Sequence, residues 1–193
     1  DLNKGSVGFS VVDNRIVFDL SAIKGIGEKV VEKLLEERSS RGPFKGLLDF
    51  CRRVESSMLN KRIMESFIFS GAFDFCGLSR AEMHQRLPEV IKFVEAEKER
   101  DASKQMSLFG GSTKTEKSES DFDPARPLIP EWALGVKLLH EKEALGFYIS
   151  GHPLDQFRND LKILGAVGVP QIDRAKDGDE LRVAGVITVL KEK

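Results

Sequence analysis

"LSAIKGIGEKVVEKLL", residues 20 to 35, sets Gly25 and Gly27 on either side of one isoleucine and runs at once into a helical pattern. A glycine pair opening a helix serves one of two ends: a tight turn that saves space, or a bare row of N–H groups offered to an anion. After the pair, Ile26, Val30, Val31, Leu34 and Leu35 recur at helical spacing, while Glu28, Lys29, Glu32, Lys33 and Glu36 cover the other side. The spacing predicts an amphipathic helix that stops near "RSSRGP", residues 38 to 43.

Upstream, "GFSVV" (8–12) and "RIVFD" (15–19) alternate around Asp13-Asn14, a pair that tolerates the positive φ of a tight turn, so the chain opens with a small β-hairpin. Downstream, Leu47, Leu48, Phe50, Cys51 and Val54 predict a short helix, and "ESSML" (55–59) breaks it. Asn60 is the expected N-cap of the next helix, which carries Ile63, Met64, Phe67 and Ile68 and stops at Gly71. Two helix-turn-helix units therefore stand in tandem. Ser79 and Glu82 form a capping box before a stripe of Met83, Leu87, Val90, Ile91 and Val94, which Pro88 should kink or divide.

Residues 101 to 127 are polar and rich in Gly, Ser and Thr, and are read as a mobile linker. Helical patterning resumes from Trp132 to Leu145, with Val136 and Leu139 on one face. In "FYISGHPLDQF" (147–157) Pro153 keeps His152 out of the α region and predicts a turn. "ELRVAGVITVL" (180–190) alternates Leu181, Val183, Gly185, Ile187 and Val189, the pattern of one strand with a bulge at the glycine, as at the beginning of a β-domain.

Composition sets the limits. With 193 residues, 40% hydrophobic and 32% charged, the chain has room for one domain with a core or two small ones. No apolar run approaches the roughly 18 residues that span a bilayer, and no signal peptide opens the chain, so the expected location is cytoplasmic and no membrane partner is expected. Cys51 and Cys76, with His84, His140 and His152, lack the close spacing of a metal site; the expectation is reduced, buried thiols, no metal and no cofactor.

The net charge is only −1, yet between Lys24 and Arg62 ten basic residues stand against six acidic ones. That excess sits where the glycine turn lies. The first amides of the helix after the turn lack an intrahelical acceptor, and with the helix dipole they suit a phosphate that a β-carbon at Gly25 or Gly27 would hold off. Lys24 and Lys29 flank the site and cannot read a base from there. The alternative is a glycine-assisted helical hairpin with a solvated charged face.

Other chemistry has less support. Asp121 and Asp123 form a close pair, but no apolar strand frames them as the clustered carboxylates of a two-metal site. Ser150 and His152 are neighbours without an indicated orienting carboxylate, so His152 is read as fixing a turn and no catalytic residue is assigned. In the linker, Met106, Leu108 and Phe109 of "QMSLFG" (105–110) are apolar where little else is; each forgoes about 1.5–3 kcal/mol of burial if left in water. Local packing against a helix end would explain them, and so would a pocket on a partner.

Four segments, "LSAIKGIGEKVVEKLLEER", "GPFKGLLDFCRRV", "LNKRIMESFIFSGAFD" and "EKEALGFYISGHPLDQF", resemble in the same order the C-terminal region of the alpha subunit of bacterial DNA polymerase III. The resemblance implies a mainly α fold: a β-hairpin connector (1–19), a tandem helix-hairpin-helix module (20–100), a linker with a clamp-binding motif (101–127), a helical connector (128–165) and the start of an OB-like β-domain (166–193). It implies sequence-independent contact with duplex DNA through Lys24, Gly25, Ile26, Gly27 and Lys29. A second hairpin before Asn60, Lys61 and Arg62 lacks glycines, which weakens its expected contact. It further implies a sliding-clamp peptide in which Gln105 bonds at a pocket rim, Leu108 and Phe109 are anchors, and Met106 and Ser107 fill the middle. Other replicase subunits would be met through a parent polymerase, a nucleotidyltransferase whose active site is expected to use Mg and which this chain does not include. A helix-hairpin-helix DNA glycosylase with Asp49 as the catalytic carboxylate, and a protein-binding scaffold, are the rival readings.

Overall fold

Asn14 adopts the left-handed conformation, φ 57°, and the chain reverses there. Strands β1 (Ser10–Val12) and β2 (Arg15–Val17) consequently pair antiparallel with Val11 opposite Ile16. The computed structural model describes residues 1–12, 14–106, 128–187 and 189–191. The chain forms two compact units, Asp1–Phe147 and Tyr148–Lys193.

The first unit is helical after the hairpin: α1 (Glu28–Arg41), α2 (Leu47–Arg53), α3 (Lys61–Phe69), α4 (Arg80–Met106) and α5 (Leu134–Leu145). A short 3-10 turn, Leu20–Ala22, precedes α1, and another, Ser56–Met58, separates α2 from α3. Their shared core is built on Phe50, Phe67 and Phe73, all fully buried, with centroids 5.1 to 6.4 Å apart and rings edge to face. Each such pair adds about 0.5–1.5 kcal/mol beyond the area it buries. Val31 and Leu34 bring α1 into this core, Met64 and Ile68 bring α3, and Met83, Leu87, Val90 and Val94 bring α4.

Two expectations change here. Pro88 does not divide its helix; α4 runs unbroken from Arg80 to Met106, into the stretch read as linker. Proline removes one backbone bond at a cost of about 3 kcal/mol, but buried Met83 and Leu87 before it and Val90 and Val94 after it hold both halves to the same core. Helix α5 forms, yet Val136 and Leu139 are 42% and 65% exposed, and its buried face is Leu138, Glu141, Ala144 and Leu145. A charged residue on the inner face defeated the apolar pattern.

That residue is neutralised. Glu141 Oε1 accepts from Arg80 Nη1 at 2.9 Å, and Arg80 also forks onto Asp74 at 2.8 and 2.7 Å and donates to the Phe69 carbonyl at 3.1 Å. Burial works against the Arg80 charge, but Asp74 and Glu141 outweigh it and push its pKa up. At the start of α4, Ser79 Oγ accepts from Glu82 N and donates to the Ile129 carbonyl, while the Glu82 carboxylate pairs with Arg86. Glu131 accepts from the N–H groups of Arg80 and Ala81 and from its own neighbour Trp132. Residues 128–133 are thereby sewn to the N-terminus of α4.

In the second unit none of the described residues is buried. A 3-10 turn, Pro153–Phe157, leads into α6 (Arg158–Ile163) and then α7 (Val169–Ile172). His152 is extended (φ −126°, ψ 142°); its Nδ1 accepts from Leu154 N and its own N–H donates to Asp155, so it fixes the turn as its sequence indicates. In the alternating tract, Leu181, Val183, Ile187 and Val189 are exposed, and no strand forms among the described residues. Alternation supplies a face; a strand also needs a neighbour for its N–H and C=O groups.

Candidate nucleic-acid interface

The bend before α1 is held from beneath. Asp19 accepts from both N and Oγ of Ser21 at 2.7 Å and so caps the Leu20–Ala22 turn. Desolvation pulls the Asp19 carboxyl up, but these bonds prevail and hold it below the usual range. Ile23 and Ile26 are buried, and Ile26 N donates to the Ile23 carbonyl at 3.0 Å. Ile26 thus offers neither side chain nor N–H to a ligand; it anchors the bend. Lys24 N donates to the Ala144 carbonyl, 2.8 Å away at the end of α5.

Above that anchor the bend is open. Lys24, Gly25, Gly27, Glu28 and Lys29 are exposed. Gly25 has φ +85°, a conformation that L side chains rarely adopt. Gly27, the N-cap of α1, is extended at φ −85° and ψ 159°, and no side chain caps the helix there. Among the described residues, the N–H groups of Gly25, Gly27, Glu28 and Lys29 find no acceptor. A β-carbon on Gly27 would meet nothing within 4 Å, and one on Gly25 would come no closer than 4.0 Å to Ser66 Oγ. Neither glycine is there to save space inside the protein. What they leave clear is the outside, over a row of unpaired donors at the positive end of a 14-residue helix.

The second bend is built differently. Asn60 caps α3 with its own carboxamide, accepting from Arg62 N at 2.8 Å, so one of that helix's first donors is already used. Asn60, Lys61 and Arg62 are exposed, and Lys61 lies 3.7 Å from Glu65.

Ion pairing sorts the ten cations between Lys24 and Arg62. Lys33 pairs with Glu55 at 2.6 Å, Arg41 with Glu37, and Arg52 forks onto Glu97 at 2.9 and 3.0 Å. Arg38 donates to the carbonyls of Leu2 and Gly5. Arg53, with its side chain only 9% exposed, bonds to Glu37, Asp49 and the Gly42 carbonyl and lies over the Phe44 ring. Lys24, Lys29, Lys45 and Arg62 have no carboxylate partner among the described residues. Two of these four flank the open bend. Lys45, exposed between the buried Phe44 and Gly46 just before α2, escaped the sequence reading, because spacing does not tell a paired cation from a free one.

The other candidates take structural roles or fall elsewhere. Asp49 accepts from Lys45 N at 2.9 Å and pairs with Arg53 at 3.1 Å, the position of a group that closes the first turn of α2. Cys51 is buried, and burial pushes its thiol up to about 12 despite the opposing Lys98 charge; Cys76 is partly buried with Sγ 3.5 Å from Met83 Sδ. Asp177 and Asp179 form a second close pair, in which Asp179 accepts from Lys176 N. Among the described residues no three His, Cys, Asp or Glu side chains could hold a metal ion, and no helix is long and apolar enough to cross a membrane. Gln105 and Met106 end α4, while Ser107, Leu108, Phe109, Asp121 and Asp123 lie outside the described residues.

A family model described as a helix-hairpin-helix motif matches residues 1–83, which contain both bends. DNA polymerase III subunit alpha of Treponema pallidum is 34% identical over 190 residues, 98% of this chain and 16% of the relative. The subunit from Escherichia coli K12 is 32% identical over 194 residues, with 99% and 16% covered, and that of Xylella fastidiosa Temecula1 is 42% identical over 156 residues, with 77% and 12% covered. The chain spans about a sixth of the length of these relatives. A similarity that runs through nearly all of the chain, joined to the helix-hairpin-helix match over its two bends, places it in the DNA polymerase III subunit alpha family.

Proposed function

We propose that this chain is the part of a replicative, DNA-directed DNA polymerase that holds duplex DNA by its phosphate backbone. The observation that carries the reading is the open bend at Gly25–Gly27, with its unpaired donors and with Lys24 and Lys29 beside it. A phosphate seated there would receive charge-assisted hydrogen bonds from the backbone, worth about 1.5–3 kcal/mol each, and contact of this kind carries no base information. Lys45 and Arg62 are further exposed cations without a carboxylate partner among the described residues, and Asn60 and Lys61 lie at the second, capped bend. The parent polymerase would supply the Mg-dependent chemistry and the contacts with other replicase subunits, in the cytoplasm.

The same proposal gives "QMSLF", residues 105 to 109, to a sliding clamp: Gln105 at the pocket rim, Met106 and Ser107 between, Leu108 and Phe109 buried in the partner. Two anchors supply only about 3–6 kcal/mol before ordering costs. Clamp and duplex held together would each raise the effective concentration of the other, so weak contacts suffice for processive synthesis.

Fluorescence anisotropy with short duplexes over a salt series tests the first part. Log affinity should fall by about 0.9 per phosphate contact with log salt and depend little on sequence. Salt-independent or absent binding would end the phosphate reading; base release from damaged duplex would favour a glycosylase. Titrating clamp against the wild type and the Gln105→Ala, Leu108→Ala, Phe109→Ala triple variant tests the second. Equal affinities would remove the peptide.

A further inference from the structure

We infer that α5 is a positioning element for the glycine bend and that Arg80 and Glu141 are the positioning residues that set it. The inference rests on the reading of the bend as a phosphate site. A helix ends with carbonyls that have no intrahelical donor. One of these at the end of α5, on Ala144, receives the N–H of Lys24 at 2.8 Å, while Gly146, left-handed at φ 86°, closes the helix by donating to Lys142. The residue that begins the bend is therefore tied to the last turn of a helix far downstream in sequence, beyond the helix-hairpin-helix match that ends at residue 83.

Helix α5 is fixed in its turn just upstream of Ala144. Glu141 is fully buried, and its carboxylate accepts from Arg80 at 2.9 Å. Arg80, the first residue of α4, also grips Asp74 and the Phe69 carbonyl at the end of α3. A run of hydrogen bonds thus leads from α3 through Arg80 and Glu141 to α5, and from α5 to Lys24. Apolar packing admits small slips between helices, whereas a desolvated ion pair with directional bonds penalises them. The pair sets where Ala144 lies, Ala144 sets the backbone of Lys24, and the free donors of Gly25 and Gly27 follow. The two hairpins alone do not determine the aim of the site.

The test uses the whole chain and three variants. Glu141→Gln keeps the shape and removes the charge; Ala144→Leu puts a large side chain where Ala144 is 2% exposed; Leu139→Ser, on the exposed face of α5, is the control. Hydrogen exchange should quicken at the Lys24 amide in the first two while Val31 and Leu34 stay protected, and duplex affinity should fall about fivefold. The salt slope should not change, because no interface cation is lost. The control should match wild type. Unchanged Lys24 exchange and affinity in both Glu141→Gln and Ala144→Leu would overturn the inference. So would an affinity loss that appears only together with faster exchange at Val31 and Leu34, the mark of general destabilisation. A wild type that shows no salt-dependent duplex binding would instead defeat the phosphate reading, and this role with it, whatever the exchange at Lys24.

Discussion

Replacing each bend glycine by alanine should separate folding from binding. At Gly25, φ +85° forces an L residue into the left-handed region at about 1–2 kcal/mol. In a unit of this size each kcal/mol moves Tm by about 2–4 °C, so Gly25→Ala should melt about 2–8 °C lower. Gly27 is different. Its backbone is extended and its β-carbon would have open space, so the fold should accept Gly27→Ala. The restricted unfolded chain gains about 0.4–1 kcal/mol and the poorer N-cap loses a similar amount, which leaves Tm nearly unchanged. That methyl would nevertheless stand over the donors a phosphate needs. Losing one charge-assisted hydrogen bond, about 1.5 kcal/mol at the low end, should weaken duplex binding about tenfold. Circular dichroism melts and duplex anisotropy read the two effects independently. A Gly27→Ala protein that melts like wild type and binds duplex as tightly would refute the argument, since it would mean nothing comes close to that backbone.

The cations should divide in the salt series: Lys24→Ala and Lys29→Ala should each flatten the slope by about 0.9, whereas Lys33→Ala, whose charge is held by Glu55, should leave it unchanged. Glu28 puts a carboxylate in the first turn of α1, so Glu28→Gln should tighten duplex binding about twofold at low salt, and added salt should erase the gain. Arg80→Ala removes the guanidinium that pairs with the fully buried Glu141 and should cost about 3–5 kcal/mol in urea unfolding. His140, stacked on Phe69 at 4.0 Å, has its pKa lowered chiefly by burial, with Glu143 opposing and His84 adding to the effect. The unfolded chain therefore binds a proton there first, and stability should fall as pH drops below about 6.5; His140→Phe should lose that part of the acid slope.

Local patterns carried much of this protein in the sequence itself. A glycine with positive φ, an asparagine before a helix, and apolar residues three and four apart fix conformation over a few residues, where no distant partner is needed. The open bend, the Asn60 cap, the hairpin at Asn14 and the turn at His152 are all of that kind. Tertiary structure decided what depends on distant groups. Pro88 stays within one helix because both halves meet the same core, and α5 turns Glu141 inward because Arg80 waits there. The local excess of positive charge narrows to Lys24, Lys29, Lys45 and Arg62 once folding has tied the others to carboxylates or, for Arg38, to backbone carbonyls. The hold of Ala144 on Lys24 joins two backbone groups, and a backbone group has no letter in the sequence. Spacing records neighbours along a chain, whereas pairing of charges and carbonyls across it exists only after the chain has closed on itself.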